Sequence, residues 1–244
     1  MEAFSKTKNE ECFFVTILIS KTSNLDLMQD IVKGFKMELR NLRDRNARLN
    51  PRWNIQVFGQ VEIDCVPYET WGEIPDERRS ALDEIPSYEI SSDSTDIWIP
   101  HAHLGIICPG LYRSELQEVL SKQFPGKNRV DIKKFEKYED ADDNFRDIHS
   151  YSQKHLAKNK LKTKRDNGRI VWTSEKWSLK SQVKYWCFLA KLRRGFSPLR
   201  VRIRSMPLPK QKSTLESVDL ASMTQSLASA IQKTKHLPIL FRTA

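Results

Sequence analysis

No stretch of this 244-residue chain constrains its fold more than Trp98-Ile99-Pro100-His101-Ala102-His103-Leu104-Gly105-Ile106-Ile107. It is an apolar run of strand-like residues, interrupted only by two histidines one residue apart. Successive side chains on a strand point to opposite faces. His101 and His103 therefore share one face, while Ala102, Leu104 and Ile106 share the other. Two imidazoles side by side on a rigid strand supply half of a metal site.

The segments around this run read as partners for it. Phe13-Phe14-Val15-Thr16-Ile17-Leu18-Ile19-Ser20 is apolar on both faces, which places a strand centrally in a sheet. Ser23 or Asn24 can cap a helix whose apolar stripe is Met28, Ile31, Val32, Phe35, Leu39 and Leu42. Lys36, Arg40, Arg43 and Arg45 form its basic outer side, and Asn50-Pro51 ends it. From Trp53 to Val66 the alternation is clean. Ile55, Val57, Val61, Ile63 and Cys65 face one way, and Asn54, Gln56, Gln60, Glu62 and Asp64 the other. Glu62 and Asp64 are thus two carboxylates on a single side. Pro67 to Asp96 is acidic and Pro-containing, a long connection or insertion with a short helix around Asp76–Leu82.

Beyond the histidines, Pro109-Gly110 makes a turn, and Ser114 with Gln117 forms a capping box for a helix carrying Leu116, Val119 and Leu120. Phe124-Pro125-Gly126 ends that helix. Asn128 to Lys137 is a weaker strand, with Val130 and Ile132 on one face. A helix over about 142–160 has its stripe at Phe145, Ile148, Ser152 and Leu156. Tyr151, Lys154 and Lys158 lie along its flank at i, i+3 and i+7, with His155 between flank and stripe. A tyrosine at such a border rests its ring on the core and exposes its hydroxyl.

Charge is segregated. Tyr151 to Lys212 holds 18 of the 41 Lys and Arg but only two of the 31 Asp and Glu. Trp172, Trp177, Tyr185 and Trp186 are interleaved, which suits a polyanion with stackable bases. This block predicts a turn at Asp166-Asn167-Gly168, a strand at Arg169–Thr173 and a helix at Ser178–Arg194. The helix would turn Leu179, Val183, Trp186 and Ala190 inward, and Lys180, Lys184 and Lys191 outward. Residues 205–212 read as a linker, and 213–233 as an amphipathic helix on Leu220, Met223, Leu227 and Ile231. The four cysteines form no CxxC, no secretory pattern opens the chain, and no apolar run approaches the roughly 20 residues of a membrane span. A cytoplasmic, reducing setting without membrane contact is the expectation.

The histidine strand and the Tyr-x-x-Lys helix together resemble the HUH endonuclease superfamily, in particular the replication initiators of rolling-circle plasmids. Pro100-His101-Ala102-His103-Leu104 is similar to the metal motif of that family, and Tyr151-Ser152-Gln153-Lys154 to its nucleophile motif. Glu62 resembles the acidic residue that completes the metal site, with Asp64 as substitute. The likeness covers residues 12 to 160. It implies an α+β fold in which a central antiparallel sheet of about five strands carries flanking helices, the metal strand at its centre. A basic, partly helical C-terminal extension follows. The domains are then 12–160, the endonuclease; 161–204, a basic aromatic extension; and 205–244, a linker with an amphipathic segment.

The chemistry accounts for these residue types on its own terms. A divalent ion held by His101, His103 and one carboxylate can polarise a scissile phosphate; mixed imidazole and carboxylate ligation suits Mn²⁺ or Mg²⁺. Tyr151 would attack, Lys154 steadying charge, to leave a phosphotyrosine and a free hydroxyl. The resemblance implies attachment at the 5′ end and a 3′-hydroxyl that primes replication on single-stranded or hairpin origin DNA. Lys158, Lys160, Lys162, Lys164, Arg165, Trp172, Trp177, Lys180 and Lys184 are the expected DNA-binding residues. No G-x-x-x-x-G-K-[ST] is present, so a host helicase would unwind and a host polymerase extend. With one tyrosine in context, a second turnover needs another nucleophile or another subunit, which leaves oligomerisation open. The 38 residues between Glu62 and His101 exceed what the simplest members use. The alternatives are a transposase or relaxase of the same superfamily, another metal hydrolase, or a sequence-specific DNA-binding protein that does not cut.

Overall fold

A computed structural model of the chain describes residues 11–74, 76–91, 94–135, 158–164, 170–192 and 197–205. Seven strands form one sheet: β1 (Cys12–Leu18), β2 (Lys21–Thr22), β3 (Gln56–Pro67), β4 (Ser87–Tyr88), β5 (Asp96–Ile107), β6 (Val130–Lys134) and β9 (Arg200–Ile203). β7 (Lys158–Lys164) and β8 (Ile170–Lys176) pair with each other as a separate ribbon. The helices are α1 (Met28–Leu49), α2 (Asp76–Glu84), α3 (Arg113–Gln123) and α4 (Leu179–Lys191). The molecule is therefore mixed α and β, an open sheet with flanking helices.

The longest strands run β6-β1-β5-β3-β9, every pairing antiparallel. β2 continues the β1 side of β5 and pairs in parallel with β4, which makes the sheet mixed. β5 is the middle of the long strands, and each of its twelve residues is buried. That is the burial its uninterrupted apolar sequence demands. Register fixes which residues share a face. Glu62 lies opposite His101, Gln60 opposite His103, and Thr16 opposite His103 from the other side. Val15, Ile17, Val57, Val61, Ile63, Ala102, Leu104 and Ile106 occupy the opposite, buried face. α1 contributes Met28, Val32, Phe35, Leu39 and Leu42 to the core. It begins from a 3-10 turn, Leu25–Leu27, capped by the Asn24 side chain, and stops before Asn50-Pro51.

The acidic stretch after β3 is ordered by an apolar cluster of its own. Ile74, Leu82 and Ile85 pack with Val66, Ile97 and Ile99, so α2 lies over the sheet face that carries the histidines. Gly59 allows β3 to approach β5 closely. A Cβ there would stand 2.0 Å from the His103 carbonyl oxygen, which no side chain tolerates.

Three expectations need correction. α3 starts two residues earlier than predicted, its N-cap being Tyr112 rather than Ser114. The capping side chain is Glu115, whose carboxylate accepts from the Tyr112 N–H at 2.8 Å, while Gln117 is engaged with Ser121 and the Val130 carbonyl. Lys158–Lys160, expected to end a helix, begin β7 instead, because lysines at every second position from 158 to 164 have the period of a strand. The third concerns α4, which buries Ser181, Tyr185, Phe188 and Leu189, leaving Leu179, Val183, Trp186 and Ala190 exposed. The inward face is chosen by partners remote in sequence. The Ser181 hydroxyl donates to buried Asp96 at 2.7 Å, and Tyr185 lies against Trp98 and Trp177. The remainder of the predicted helix at 142–157, the turn at 166–168 and everything from 206 on lie outside the described residues.

Candidate metal centre

His101 and His103 project from the same face of β5 with ring centroids 4.9 Å apart and ring planes perpendicular. Both are about nine-tenths buried. Beneath them β3 supplies Glu62, and its Oε2 lies 3.5 Å from His101 Nε2 and 3.6 Å from His103 Nε2. Three donor atoms thus converge on one point, all within 4.8 Å of one another. Two ligands about 2.1 Å from a shared ion stand roughly 3.0–3.4 Å apart at octahedral to tetrahedral angles. The two separations from the Glu62 carboxylate to the imidazole nitrogens, 3.5 and 3.6 Å, stand just outside that range.

The outer contacts of the two rings point the same way. His103 Nδ1 lies 3.2 Å from the Thr16 hydroxyl, and His101 Nδ1 lies 3.4 Å from the Ile99 carbonyl and 3.9 Å from Asp64. An Nδ1–H donating to the Ile99 carbonyl places the His101 Nε2 lone pair toward Glu62, the tautomer a metal ligand needs. Phe14 stacks on the His103 ring at 5.7 Å and 9°, restricting its rotation.

Electrostatics make the centre a sink for positive charge. Burial alone would raise the Glu62 carboxyl, but hydrogen bonds from both imidazoles and their charge overturn that and hold it down to about 2. Burial opposes charging of His101, yet Asp64 and Glu62 together raise it. The second oxygen of Glu62, Oε1, is buried and has no hydrogen-bond partner among the described residues. An orphaned carboxylate oxygen beside two imidazoles is what a metal site leaves when only protein is present. The residues fit a divalent ion.

Asp64, the substitute for Glu62, is committed elsewhere. Its Oδ2 accepts from Arg78 of α2 at 2.6 Å. Arg78 was not singled out by sequence reasoning, since nothing local ties a helix in an acidic insertion to a strand 14 residues earlier. An open groove of about 670 Å³ runs past His101, lined by Thr16, Asp64, Arg78, Lys127 and Asp131.

The other expected residues divide. Tyr151, Lys154 and Arg165 lie outside the described residues. Lys158, Lys160, Lys162 and Lys164 sit on β7 at alternate positions, and Trp172 pairs with Lys162 across the ribbon. Lys180 is exposed on α4. Trp177 is not available to a base, because it is 3% exposed and meets Trp98 edge-on at 5.7 Å. Lys184 is not a free phosphate ligand, because its Nζ lies 2.7 Å from the buried Asp96 carboxylate, which needs that charge. Both belong to a packed junction between α4 and β5, a partnership that a local window of sequence does not display.

Among the described residues no helix is long and apolar enough to cross a membrane. Comparison of the chain with family models, curated proteins and solved structures finds no match.

Proposed function

We propose that this chain is a metal-dependent DNA nickase of the HUH type, acting as a rolling-circle replication initiator. The observation that carries the reading is the convergence of Glu62 Oε2 with His101 Nε2 and His103 Nε2 on one face of a central strand. Glu62, His101 and His103 would hold the ion, and Mn²⁺ or Mg²⁺ suits their mixed donor set. When bound, the ion neutralises charge on the non-bridging oxygens of a phosphodiester.

In this reading the Tyr151 phenol oxygen forms a bond to phosphorus as the bond to the 3′-oxygen breaks. The phenol gives up its proton and the departing 3′-oxygen takes one, leaving a 5′-phosphotyrosine and a 3′-hydroxyl. Lys154, one helical turn away by spacing, would steady the charge. Asp64 held by Arg78 keeps the His101 ring oriented without entering the ligand set. The five lysines of the β7–β8 ribbon (Lys158, Lys160, Lys162, Lys164 and Lys176) support a nucleic-acid substrate through phosphate contacts.

The test is incubation of the chain with end-labelled single-stranded oligonucleotides and Mn²⁺. The expected result is a denaturant-stable protein–DNA adduct, absent with chelator, absent in Tyr151→Phe and in Glu62→Ala. Metal-independent binding with no adduct on any candidate origin strand would replace this reading with that of a DNA-binding protein that does not cut.

A further inference from the structure

We infer that Arg200 and Arg202 of β9 form a second, metal-free part of the substrate site, gripping two successive phosphates of the single strand beside the one that is cut. The inference rests on the nickase reading and adds to it where the strand runs.

β9 joins the sheet as the edge partner of β3, with Arg200 opposite Gln60 and Arg202 opposite Phe58. Gln60 in turn lies opposite His103. Directly opposed residues in an antiparallel pair share a face. Arg200, Gln60 and His103 therefore stand in one row across three strands, on the side that carries the metal centre. Two strand spacings separate Arg200 from His103, about 10 Å.

The alternation of β9 assigns the roles. Val201 and Ile203 are buried and dock the strand, while Arg200 and Arg202 are exposed. Backbone contacts on either side hold it in place: Lys36 donates to the Pro198 carbonyl and Arg43 to the Arg204 carbonyl. The two guanidiniums are thus mounted on fixed backbone and cost little to organise.

Other arginines near the centre are committed. Arg78 is paired with Asp64, and Arg129 donates to the carbonyls of Leu18, Ile19 and Pro125. Among the described residues neither Arg200 nor Arg202 has a carboxylate partner. Residues two apart on a strand are about 6.7 Å apart. A single strand can match that by stretching from its stacked rise of about 3.4 Å per nucleotide. Forked guanidiniums are the side chains best shaped for phosphate.

The test compares the full chain with Arg200→Gln/Arg202→Gln, and with Arg113→Gln, an exposed arginine on α3, as the charge control. Binding of a labelled single-stranded DNA is followed by anisotropy from 50 to 200 mM NaCl. Losing two phosphate contacts should flatten the log–log salt slope by about 1.4, since each contributes roughly 0.7 on a single strand. The Mn²⁺-induced rise in melting temperature should be unchanged, which shows the fold and metal centre intact. Neutral methylphosphonate substitutions, one linkage at a time, should weaken the parent chain at two adjacent positions within about three nucleotides of the cut and have no effect there on the double variant. An unchanged slope in a variant whose parent binds and nicks overturns this inference alone. A parent chain that binds DNA but forms no adduct removes the nickase reading, and the slope still decides whether these arginines bind phosphate. A parent chain that binds no single strand overturns both.

Discussion

Glu62 and Asp64 show how two residues of one chemical type, two positions apart, are given different tasks by their surroundings. Glu62 faces two imidazole nitrogens and, among the described residues, keeps one oxygen without a partner. Asp64 is neutralised by Arg78. Glu62→Ala should therefore abolish stabilisation by Mn²⁺ in a thermal-shift assay, where the parent gains about 2.7 kcal/mol at a metal concentration 100 times its Kd. Asp64→Asn should retain that stabilisation with affinity reduced about 10-fold, the usual effect of losing an outer-sphere partner. Equal loss in both variants would remove the distinction. The cysteines make a second test at this scale. Burial pushes the Cys12 and Cys108 thiols up to about 12 and raises Cys65 as well, while Cys187 is exposed. Titration with a thiol reagent at pH 8 should label one cysteine in the native protein and four after unfolding.

At the scale of elements, the parts legible in the sequence are those whose pattern is set by their own burial. β1, β3, β5 and α1 were all recognisable from apolar spacing, and both histidines of the candidate centre came with them, whereas spacing offered Glu62 and Asp64 alike and the preference for Glu62 came from the family resemblance. α4 was placed correctly along the chain but rotated about its axis, because the choice between two plausible stripes was made by Asp96, Trp98 and Trp177. A buried serine is read as polar until its partner is known. β9 was not expected at all, since four residues with alternating arginines look like surface until a strand edge receives them. Consequences differ between the two faces of α4. Trp177→Ala should cost about 3–5 kcal/mol of stability in urea denaturation, as large aromatic truncations do, with no loss of DNA affinity in the folded fraction. Trp186→Ala should change stability by less than about 1 kcal/mol. Gly59→Ala should be severely destabilising despite adding a single methyl, because the atom it meets is the backbone of β5; an unshifted melting temperature would show that β3 can move aside.

For the molecule as a whole, the surplus of positive charge is distributed over separate elements rather than spread evenly: the β7–β8 ribbon, α4 and the edge strand β9. Each carries basic residues at the spacing of its own backbone, so the DNA binding proposed above should weaken steeply with salt. The segment between β3 and β5 has a different consequence. It looks like an embellishment that a shorter version of the fold could do without, yet it delivers the guanidinium that occupies Asp64. Deleting it would release Asp64, which lies 3.9 Å from His101 Nδ1, and so loosen the support behind the imidazole whose Nε2 faces Glu62. If Glu62, His101 and His103 hold an ion, the setting of one of its ligands is thus governed from a helix that contributes none, and a change in the length of that loop would be felt at the metal.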